Sequence, residues 1–395
     1  MPSDNNGPLK GLRILDMTRI LAGPYATQLL GDMGADVIKV ERPGVGDDTR
    51  GWGPPYVTTD AGAPTRESAY YMCANRNKRS IAVDMATPEG AETLRKLAKK
   101  ADVVMQNFKT GGLAKYGLDY ETLSKDNPAL VYCSITGFGQ TGPNAHRAGY
   151  DLLVQGSGGL MSLTGDPDGV PTKVGVGIAD MMCGMYASNA VLAALRHRDA
   201  TGEGQHIDVA LADTQVAWLA NEGVNYLLSG EAPKRRGNQH PNIVPYQVFE
   251  CSDGHAIVAV GNDTQFARFA ALIGLPDLAA DARFTLNTAR LANREVLIPL
   301  LEERIRQIPK ATLVADLEAA SVPGGEINTL PEVFASEQVI ARDMKISMPH
   351  PLAASGHVDL IGNPLKFSAT PVSYRQSPPL CGEHTDEVLA EWLED

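Results

Sequence analysis

The sequence is poor in the features that mark secreted, metal-binding and membrane proteins. Its five cysteines form no CxxC pair and have no histidine at metal-ligand spacing, so neither a disulfide framework nor a zinc site is indicated. No run approaches the roughly 20 apolar residues of a membrane span, and the first residues do not resemble a signal peptide. We therefore expect a protein of a reducing, cytoplasmic compartment, without a membrane partner and without a metal.

Positive charge is also scarce. Lys and Arg number 35 against 47 Asp and Glu, and the net charge of −12 argues against nucleic acid or an anionic membrane surface as the main partner. Apolar sequence, in contrast, makes up 43% of the 395 residues, which is enough for more than one core. Length and composition together indicate an ordinary globular protein of two domains.

The N-terminal region contains the pattern of a parallel sheet. Residues 12–17 and 35–41 are apolar strands, and residues 25–33 between them have helical spacing. Because a strand, a helix and a second strand within about 30 residues form a βαβ unit, we predict an α/β fold with a Rossmann-like parallel sheet. The first turn has no GxGxxG sequence, so an ordinary dinucleotide site is not supported.

The alternation of helices and strands continues to residue 228. Residues 206–228 predict one strand followed by one long helix, and the Gly/Pro-rich residues 44–67 predict a flexible cover over a cleft. A composition shift then indicates a linker. The predicted organisation is a large domain over 1–228, a linker over 229–247, a small α+β domain over 248–330, and a return linker with the last part of the large domain over 331–395.

Asp180 has the surroundings that most suggest chemistry. It stands where two glycine-rich loops, 156–159 and 165–177, lead into an apolar, alanine-rich helix. A carboxylate there can cap the helix by accepting backbone N–H groups. Between apolar neighbours, and kept ionised by the helix N-terminus, it can instead act as a nucleophile that forms an acyl intermediate. The residues alone leave both interpretations open.

Two groups of cations present a similar choice. Arg42 follows the second strand, at the end where open α/β sheets bind ligands. The sequence NRNKRS at 75–80 packs three cations into one turn. Arg and Lys suit phosphate oxygens, so either group can bind a phosphate, and either can equally be a solvated surface charge.

Several motifs, taken in order, resemble those of the family III CoA-transferases, the CaiB/BaiF family that includes formyl-CoA transferase, carnitine CoA-transferase and the alpha-methylacyl-CoA racemases. The matching stretches cover essentially the whole chain and include LKGLRILDMTRILAGP, GADVIKVERPGVGD, NRNKRSIAVD, YCSITGFGQTGP, GYD, GSGGLMSLTG, GIADMMCGMYA and CGEHTDEVL. Each is weak by itself, but the ordered set is specific. The resemblance implies a large α/β domain built from both chain ends, a smaller domain between them, and an interlocked homodimer.

The resemblance also implies a chemistry. In the family, the Asp of the G-x-x-D-x-x-x-G-M pattern is the nucleophile, and GIADMMCGM places it at Asp180. Its carboxylate would form a mixed anhydride with the donor acyl group and then an aspartyl-CoA thioester, with backbone donors from the glycines at 156–159. The matching CoA-binding positions are Leu21, Ala22, Arg42, Ala74, Asn75, Arg76, Asn77, Asn107, Phe108, Lys109, Lys115, Arg147, Ala148, Gly149 and Tyr150.

Three departures from the family pattern narrow the expected activity. Leu21 stands where formyl-CoA transferase has a glutamine, so that polar contact is not implied here. Tyr150 replaces the His of the racemases' G-H-D motif, and tyrosine, with a pKa of about 10, is a poor base, which disfavours racemisation. Residues 237–247 replace a run of four glycines of formyl-CoA transferase, which disfavours formyl or oxalate chemistry and resembles the subgroup acting on succinyl-CoA and dicarboxylic acids.

A dicarboxylic acid needs a cation for its distal carboxylate. The candidate substrate residues are Arg50, Arg235, Arg236 and His240, with Gly158 and Gly159. The leading hypothesis is a transferase that moves CoA from succinyl-CoA to a small dicarboxylic acid, with no metal and no redox cofactor. Two alternatives stay open: an acyl-CoA racemase or epimerase, and a non-catalytic acyl-CoA binding protein in which Asp180 only caps its helix.

Overall fold

A computed structural model describes residues 5–394, so residues 1–4 and 395 of the predicted large domain lie outside the described residues. The strands, in chain order, are β1 (Arg13–Asp16), β2 (Asp36–Glu41), β3 (Tyr56–Thr58), β4 (Pro64–Ser68), β5 (Lys78–Ala82), β6 (Val103–Gln106), β7 (Val131–Thr136), β8 (Gln205–Ala210), β9 (Tyr246–Cys251), β10 (Gly254–Ala259), β11 (Gly324–Glu326), β12 (Lys345–Pro349) and β13 (His357–Ile361). The helices are α1 (Ala22–Asp32), α2 (Ala69–Met72), α3 (Pro88–Lys100), α4 (Tyr120–Asp126), α5 (Asp151–Ser157), α6 (Leu160–Leu163), α7 (Ile178–Thr201), α8 (Leu211–Ala217), α9 (Ala220–Ser229), α10 (Asp263–Leu272), α11 (Asn287–Ala292), α12 (Arg294–Ile305), α13 (Lys310–Ala319), α14 (Leu330–Ala335), α15 (Glu337–Ala341) and α16 (Thr385–Leu393).

Six parallel strands form the central sheet, in the order β5-β2-β1-β6-β7-β8. Numbered along the chain, this is the order 3-2-1-4-5-6 of doubly wound folds, which confirms the predicted α/β class. From β1 the chain first adds strands on one side of the sheet, β2 and β5, and then on the other, beginning with β6, so the strand order reverses between β1 and β6. Because the loops after these two strands lead to opposite sides of the sheet, they leave a crevice at its carboxyl edge.

Helices cover both faces of this sheet. On one face, α1 and α7 pack through small side chains such as Ala26 and Ala187. On the other face, α3 and α16 contribute larger ones, among them Leu94 and Trp392. Burial on both faces explains why the strands are apolar without a clear alternation, since no face of the sheet meets water.

Helix α7, which carries Asp180, packs on the same face of the sheet as α1. By length and composition only, α7 is long and apolar enough to cross a membrane, a test that buried core helices also meet. Its side chains, including Ala179 and Cys183, are nevertheless packed in the core between α1 and the sheet. The approach of α7 to α1 depends on Gly184, where a Cβ would lie 2.5 Å from the carbonyl oxygen of Ala22.

The chain forms two compact units. The first consists of the described parts of Met1–Leu160, Val174–Ala220 and Glu337–Asp395, and the second of Met161–Lys173 and Asn221–Ser336. The second unit contains the antiparallel sheet β11-β10-β9 with α10, α12 and α13 around an aliphatic and aromatic core. Residues 161–173 belong to this second unit, although the sequence analysis assigned them to the large domain.

Local structure differs from the predictions in three places. Residues 206–228 form β8 and two helices rather than one, because the chain turns at Ala220, whose φ of 44° is left-handed. Residues 44–67, predicted as a flexible cover, contain a 3-10 turn at Asp48–Gly51 and the hairpin β3–β4. The return segment, predicted as extended, contains the hairpin β12–β13.

Replacing Gly184 by alanine is expected to lower the free energy of unfolding by about 1–3 kcal/mol, because the new methyl group collides with the backbone of α1 and the collision outweighs the better helix propensity of alanine. Urea unfolding followed by circular dichroism measures the change. Gly51→Ala is the matched control, since a Cβ at Gly51 meets nothing within 4 Å. Equal stability of the two variants would refute the close-packing argument.

Candidate active site

The main cavity of the first unit opens at the crevice between β1 and β6. Its volume is about 710 Å³. The loop after β1 supplies Ile20, Leu21 and Ala22 to its wall, and the loop after β6 supplies Asn107 and Phe108. The cavity therefore lies where a doubly wound sheet usually binds its ligand.

Eleven of the predicted site residues line this one cavity: Leu21, Ala22, Asn107, Phe108, Lys109, Lys115, Arg147, Ala148, Gly149, Tyr150 and Asp180. They come from four separate parts of the sequence. The structure shows that these parts meet at one cavity: Asp180 is more than 150 residues from Leu21 in the chain, and both residues line that cavity.

Asp180 occupies the first turn of α7 but does not cap it. The helix begins after Gly177, and the N–H of Ala179 donates to the carboxylate of Asp151 at 2.8 Å. Within residues 5–394 the Asp180 carboxylate accepts no hydrogen bond. The capping interpretation of Asp180 therefore does not describe this structure, because Asp151 makes the capping contact.

Burial, and to a smaller extent the negative charge of Asp151, raise the pKa of Asp180 to about 7. The expectation that the helix N-terminus keeps this group ionised like an ordinary aspartate was wrong. Desolvation outweighs the helix dipole here because no donor compensates the carboxylate. Near neutral pH the group exists in both forms, and its charged form is a stronger base than an ordinary carboxylate.

Two aromatic residues, Trp52 and Tyr70, belong to the site. Trp52 lines the main cavity, and the ring of Tyr70 packs edge-on against it with centroids 5.3 Å apart. Burial and the charge of Asp180 raise the pKa of Tyr70 to about 12, which places its hydroxyl within electrostatic reach of that carboxylate. The sequence analysis predicted neither residue as part of the site. Trp52 lies in a Gly/Pro-rich loop without a recognisable motif, and Tyr70 lies outside the basic turn that was interpreted as a phosphate site.

The outer part of the cavity is cationic. Lys109, Lys115 and Arg147 are exposed, and Arg147 and Lys115 lie over the rings of Phe138 and Tyr116. These cations have no carboxylate partner among the ion pairs of residues 5–394. Arginine and lysine in this state are available to anionic groups of a ligand, phosphates in particular.

A smaller side cavity, of about 140 Å³, adjoins the main one and contains Arg42. The two share Arg19, Asp48, Met85 and Phe108 in their walls. The sequence analysis predicted Arg42 but missed Arg19 and Met85. A signal existed for both, since Arg19 follows β1 and Met85 follows β5 at the carboxyl edge of the sheet.

The basic turn has a different role from the one predicted. Ala74, Asn75, Arg76 and Asn77 are buried and do not line either cavity. The guanidinium of Arg76 pairs with Asp32 at 2.6 Å, with both side chains almost fully buried. A cation committed to a buried carboxylate is unavailable to a phosphate, so Arg76 ties α1 to the turn before β5, and CoA binding by the rest of this turn stays a prediction.

The predicted substrate residues are also engaged elsewhere. Arg50 is buried and pairs with Glu41 at 2.7 Å and with Glu67 at 2.6 Å. The N–H groups of Gly158 and Gly159 donate to carbonyls of α5, so they are not free backbone donors. In the second unit, the candidates are held locally: Arg235 by the carbonyls of Asp166 and Gly169, Arg236 by Glu222, and His240 by its ring contact with Tyr246.

Among residues 5–394, no group of three or more His, Cys, Asp or Glu side chains is arranged to hold a metal ion. The acidic residues of the main cavity are Asp48, paired with Arg19 at 2.9 Å, and Asp180. One carboxylate without a hydrogen bond, in a cavity with cations at its mouth, suits nucleophilic chemistry on a charged ligand.

Replacing Asp151 by asparagine is expected to lower the pKa of Asp180, because a like charge is removed while an oxygen remains to cap α7. The pKa should fall below about 7 yet stay above the ordinary 3.8, since burial is the larger cause. NMR titration of ¹³C-carboxyl-labelled aspartate, with the resonance assigned by Asp180→Asn, measures both values. An Asp180 pKa that is the same in the variant would contradict this account of the site.

Comparisons with known proteins show the family of the chain. The family model described as CoA-transferase family III matches residues 9–385. The succinate–glutarate CoA-transferase of Agrobacterium fabrum is 50% identical over 385 residues, which cover 97% of this chain and 95% of that protein. The succinyl-CoA:glutarate CoA-transferase of Mus musculus is 43% identical over 390 residues, 99% of this chain and 87% of that protein.

A solved structure leads to the same assignment. The crystal structure of a CaiB/BaiF family protein from Brucella suis has 50% sequence identity and a TM-score of 0.85, and the match covers 98% of this chain and 100% of that one. The resemblance seen in the ordered sequence motifs is thereby confirmed across the whole chain. The chain belongs to CoA-transferase family III and is a CoA-transferase.

Proposed function

We propose that this enzyme moves CoA from succinyl-CoA to a small dicarboxylic acid, with Asp180 as the covalent carrier. The relatives described above are named for succinate or succinyl-CoA and glutarate, which supports this pair of acids. The observation that carries the mechanism is the Asp180 carboxylate itself, which lines the main cavity without a hydrogen bond among the described residues.

The exchange proceeds in four balanced steps. An Asp180 oxygen attacks the thioester carbon of the donor, the C–S bond breaks, and CoA thiolate leaves behind a mixed anhydride. The thiolate attacks the Asp180 carbonyl carbon, which releases the donor carboxylate and gives an aspartyl-CoA thioester. The acceptor carboxylate then attacks this thioester to form a second anhydride and thiolate. Attack of the thiolate on the acceptor carbonyl yields the new acyl-CoA and restores Asp180.

The raised pKa of Asp180 suits its role as nucleophile. Nucleophilicity rises with basicity, so a carboxylate whose pKa is about 7 attacks a thioester faster than an ordinary aspartate in its ionised form. At neutral pH a large share of the group is still charged.

The oxyanions of these steps need donors, and the N–H groups of Leu21 and Ala22 are suitable. Both residues line the main cavity with Asp180, and Ala22 is the first residue of α1, whose N-terminal N–H groups have no acceptor within the helix. The N–H groups of Gly158 and Gly159 are already bonded. We therefore assign the donors to α1 rather than to the glycine loop.

CoA would lie with its thioester beside Asp180 and its phosphates at the mouth of the cavity. Lys109, Lys115 and Arg147 are the cations in position for phosphate, and Arg42 is available in the side cavity. The apolar walls of the side cavity, with Val83, Met85 and Phe108, suit a flat base such as adenine. The interlocked homodimer and the cytoplasmic location stay predictions from the sequence.

Replacing Asp180 by asparagine is expected to reduce CoA exchange between succinyl-CoA and glutarate at least about 10³-fold, because an amide cannot form the anhydride. Hydroxylamine added during turnover of the wild-type enzyme should give a hydroxamate that mass spectrometry maps to Asp180. Asp199→Asn, on an exposed turn of the same helix, is the control and should exchange CoA normally.

Full exchange by Asp180→Asn, in protein shown by mass spectrometry to be free of deamidation, would refute the covalent carrier. Deuterium uptake and acyl-CoA binding, measured beside CoA exchange, separate the two alternatives. Deuterium uptake at the alpha carbon of an acyl-CoA without any acceptor acid would indicate a racemase. Tight acyl-CoA binding with neither exchange nor deuterium uptake would indicate a binding protein.

With succinyl-CoA as donor, glutarate is expected to be used about 10- to 100-fold better than pentanoate, as judged by kcat/KM, because a paired distal carboxylate contributes about 1.5–3 kcal/mol that a methyl group cannot. The two acids have the same chain length and differ only at the far end. Adipate, which is longer than glutarate, and oxalate, which is shorter, test how kcat/KM depends on the chain length of the acceptor acid. Equal use of glutarate and pentanoate would contradict the dicarboxylate assignment while leaving the transferase activity intact.

A further inference from the structure

A fully buried ion pair lies next to the loop that follows β1. The ammonium of Lys39, on β2, lies 2.8 Å from the carboxylate of Asp47, and both side chains are fully buried. Removing two charges from water is costly, and a buried pair is therefore weak evidence for a gain in stability. The groups that this ion pair contacts indicate its role.

Each member of the pair holds the backbone of the segment that follows β1. We call residues 18–21 the β1 strap. The Lys39 ammonium donates to the carbonyl oxygen of Thr18 at 3.1 Å, and the N–H of Ile20 donates to the Asp47 carboxylate at 3.3 Å. Asp47 is fixed in turn by the backbone and hydroxyl of Thr49. The pair thus contacts the strap at two points.

The strap needs this support because its conformation is unfavourable. Ile20 has a φ of 73°, in the left-handed region that β-branched residues avoid. Such residues persist only where the surroundings impose the conformation, and they cluster at functional sites. On the opposite side, the side chain of Asn107 bonds both the N–H and the carbonyl of Arg19, at 2.9 and 2.6 Å.

The strap forms the cavity wall next to Asp180. Ile20 and Leu21 line the main cavity, and Ala22 follows as the first residue of α1. Gly184 lies one helical turn after Asp180, on the same face of α7, and meets the carbonyl of Ala22. A shift of the strap therefore changes the distance between this wall and the Asp180 carboxylate.

We propose that Lys39 and Asp47 are positioning residues, whose buried ion pair holds Ile20 in its left-handed conformation and so sets the β1 strap against the thioester carbon beside Asp180. This inference rests on the proposed function, because it takes an acyl-CoA as the occupant of the cavity. Lys39 lines neither cavity, and Asp47, whose side chain is fully buried, borders only the side cavity and not the end of the main cavity that contains Asp180. Their effect is on the geometry of attack, where an error of about 1 Å can cost 100-fold in rate.

The test replaces both charges at once, so that no unpaired charge is left buried. Lys39→Met/Asp47→Leu removes both contacts with the strap, while Lys39→Met/Asp47→Asn keeps an oxygen for the N–H of Ile20. The first variant should lose about 10- to 100-fold in kcat with less than about a threefold change in the affinity for free CoA, measured by calorimetry. The second should lose less. Hydrogen–deuterium exchange of residues 18–22 should be faster in the first variant.

Two further proteins separate positioning from general destabilisation. Ile20→Asn places in the strap a residue that adopts the left-handed conformation readily, so the loss caused by Lys39→Met/Asp47→Leu should be smaller in that background. Leu94→Ala, in the core on the other face of the sheet, is a destabilised control and should keep its kcat at temperatures where it is folded.

The proposal is overturned if Lys39→Met/Asp47→Leu leaves kcat unchanged or lowers the affinity for CoA as much as it lowers kcat. It is also overturned if the loss of kcat is equal in the Ile20→Asn background, or if Leu94→Ala, at a similar melting temperature, loses as much activity. Failure of the proposed function has a different signature. Wild-type enzyme would then transfer CoA to no acid, and unchanged hydrogen exchange of residues 18–22 in the double variant would still overturn the role of the ion pair.

Discussion

The hydrogen bond from the N–H of Ala179 to Asp151 is the contact on which the site depends. It satisfies the first turn of α7 from outside the helix, so Asp180 is not needed as a cap. The same carboxylate, as a negative charge nearby, adds to the effect of burial and keeps Asp180 basic. The Asp151 side chain thus both leaves the Asp180 carboxylate free of a capping role and raises its pKa, which a cap within α7 would not do.

Sheet topology determines where this carboxylate can act. The reversal of strand order between β1 and β6 opens the crevice, and the helices that follow these strands leave on opposite faces. Helix α7 approaches α1 closely because Gly184 has no side chain. Asp180 therefore meets the N-terminal end of α1, although nothing local to either segment requires it. The GxGxxG sequence of dinucleotide sites is absent, yet the same crevice of the fold is used.

Charged residues show most clearly why sequence reasoning reaches a limit. Arg42, Lys109, Lys115 and Arg147 remain available to a ligand, whereas Arg50 and Arg76 are buried in ion pairs that hold the sheet edge together. All six are cations beside glycines, prolines or turns. Whether a cation meets a carboxylate or water depends on residues far along the chain, 9 positions away for Arg50 and Glu41 and 44 for Arg76 and Asp32. No pattern within one turn contains that information.

The sequence by itself determined the family, the α/β class, the position of Asp180 and eleven of the residues that line the main cavity, because ordered motifs and strand ends are local properties of the chain. The tertiary structure decided which predicted residues meet, that Asp151 and not Asp180 caps α7, and that α8 and α9 are separate helices. It also decided the protonation of Asp180. Burial and the charges around a group arise only when distant segments pack together, and a pKa is a property of that packing.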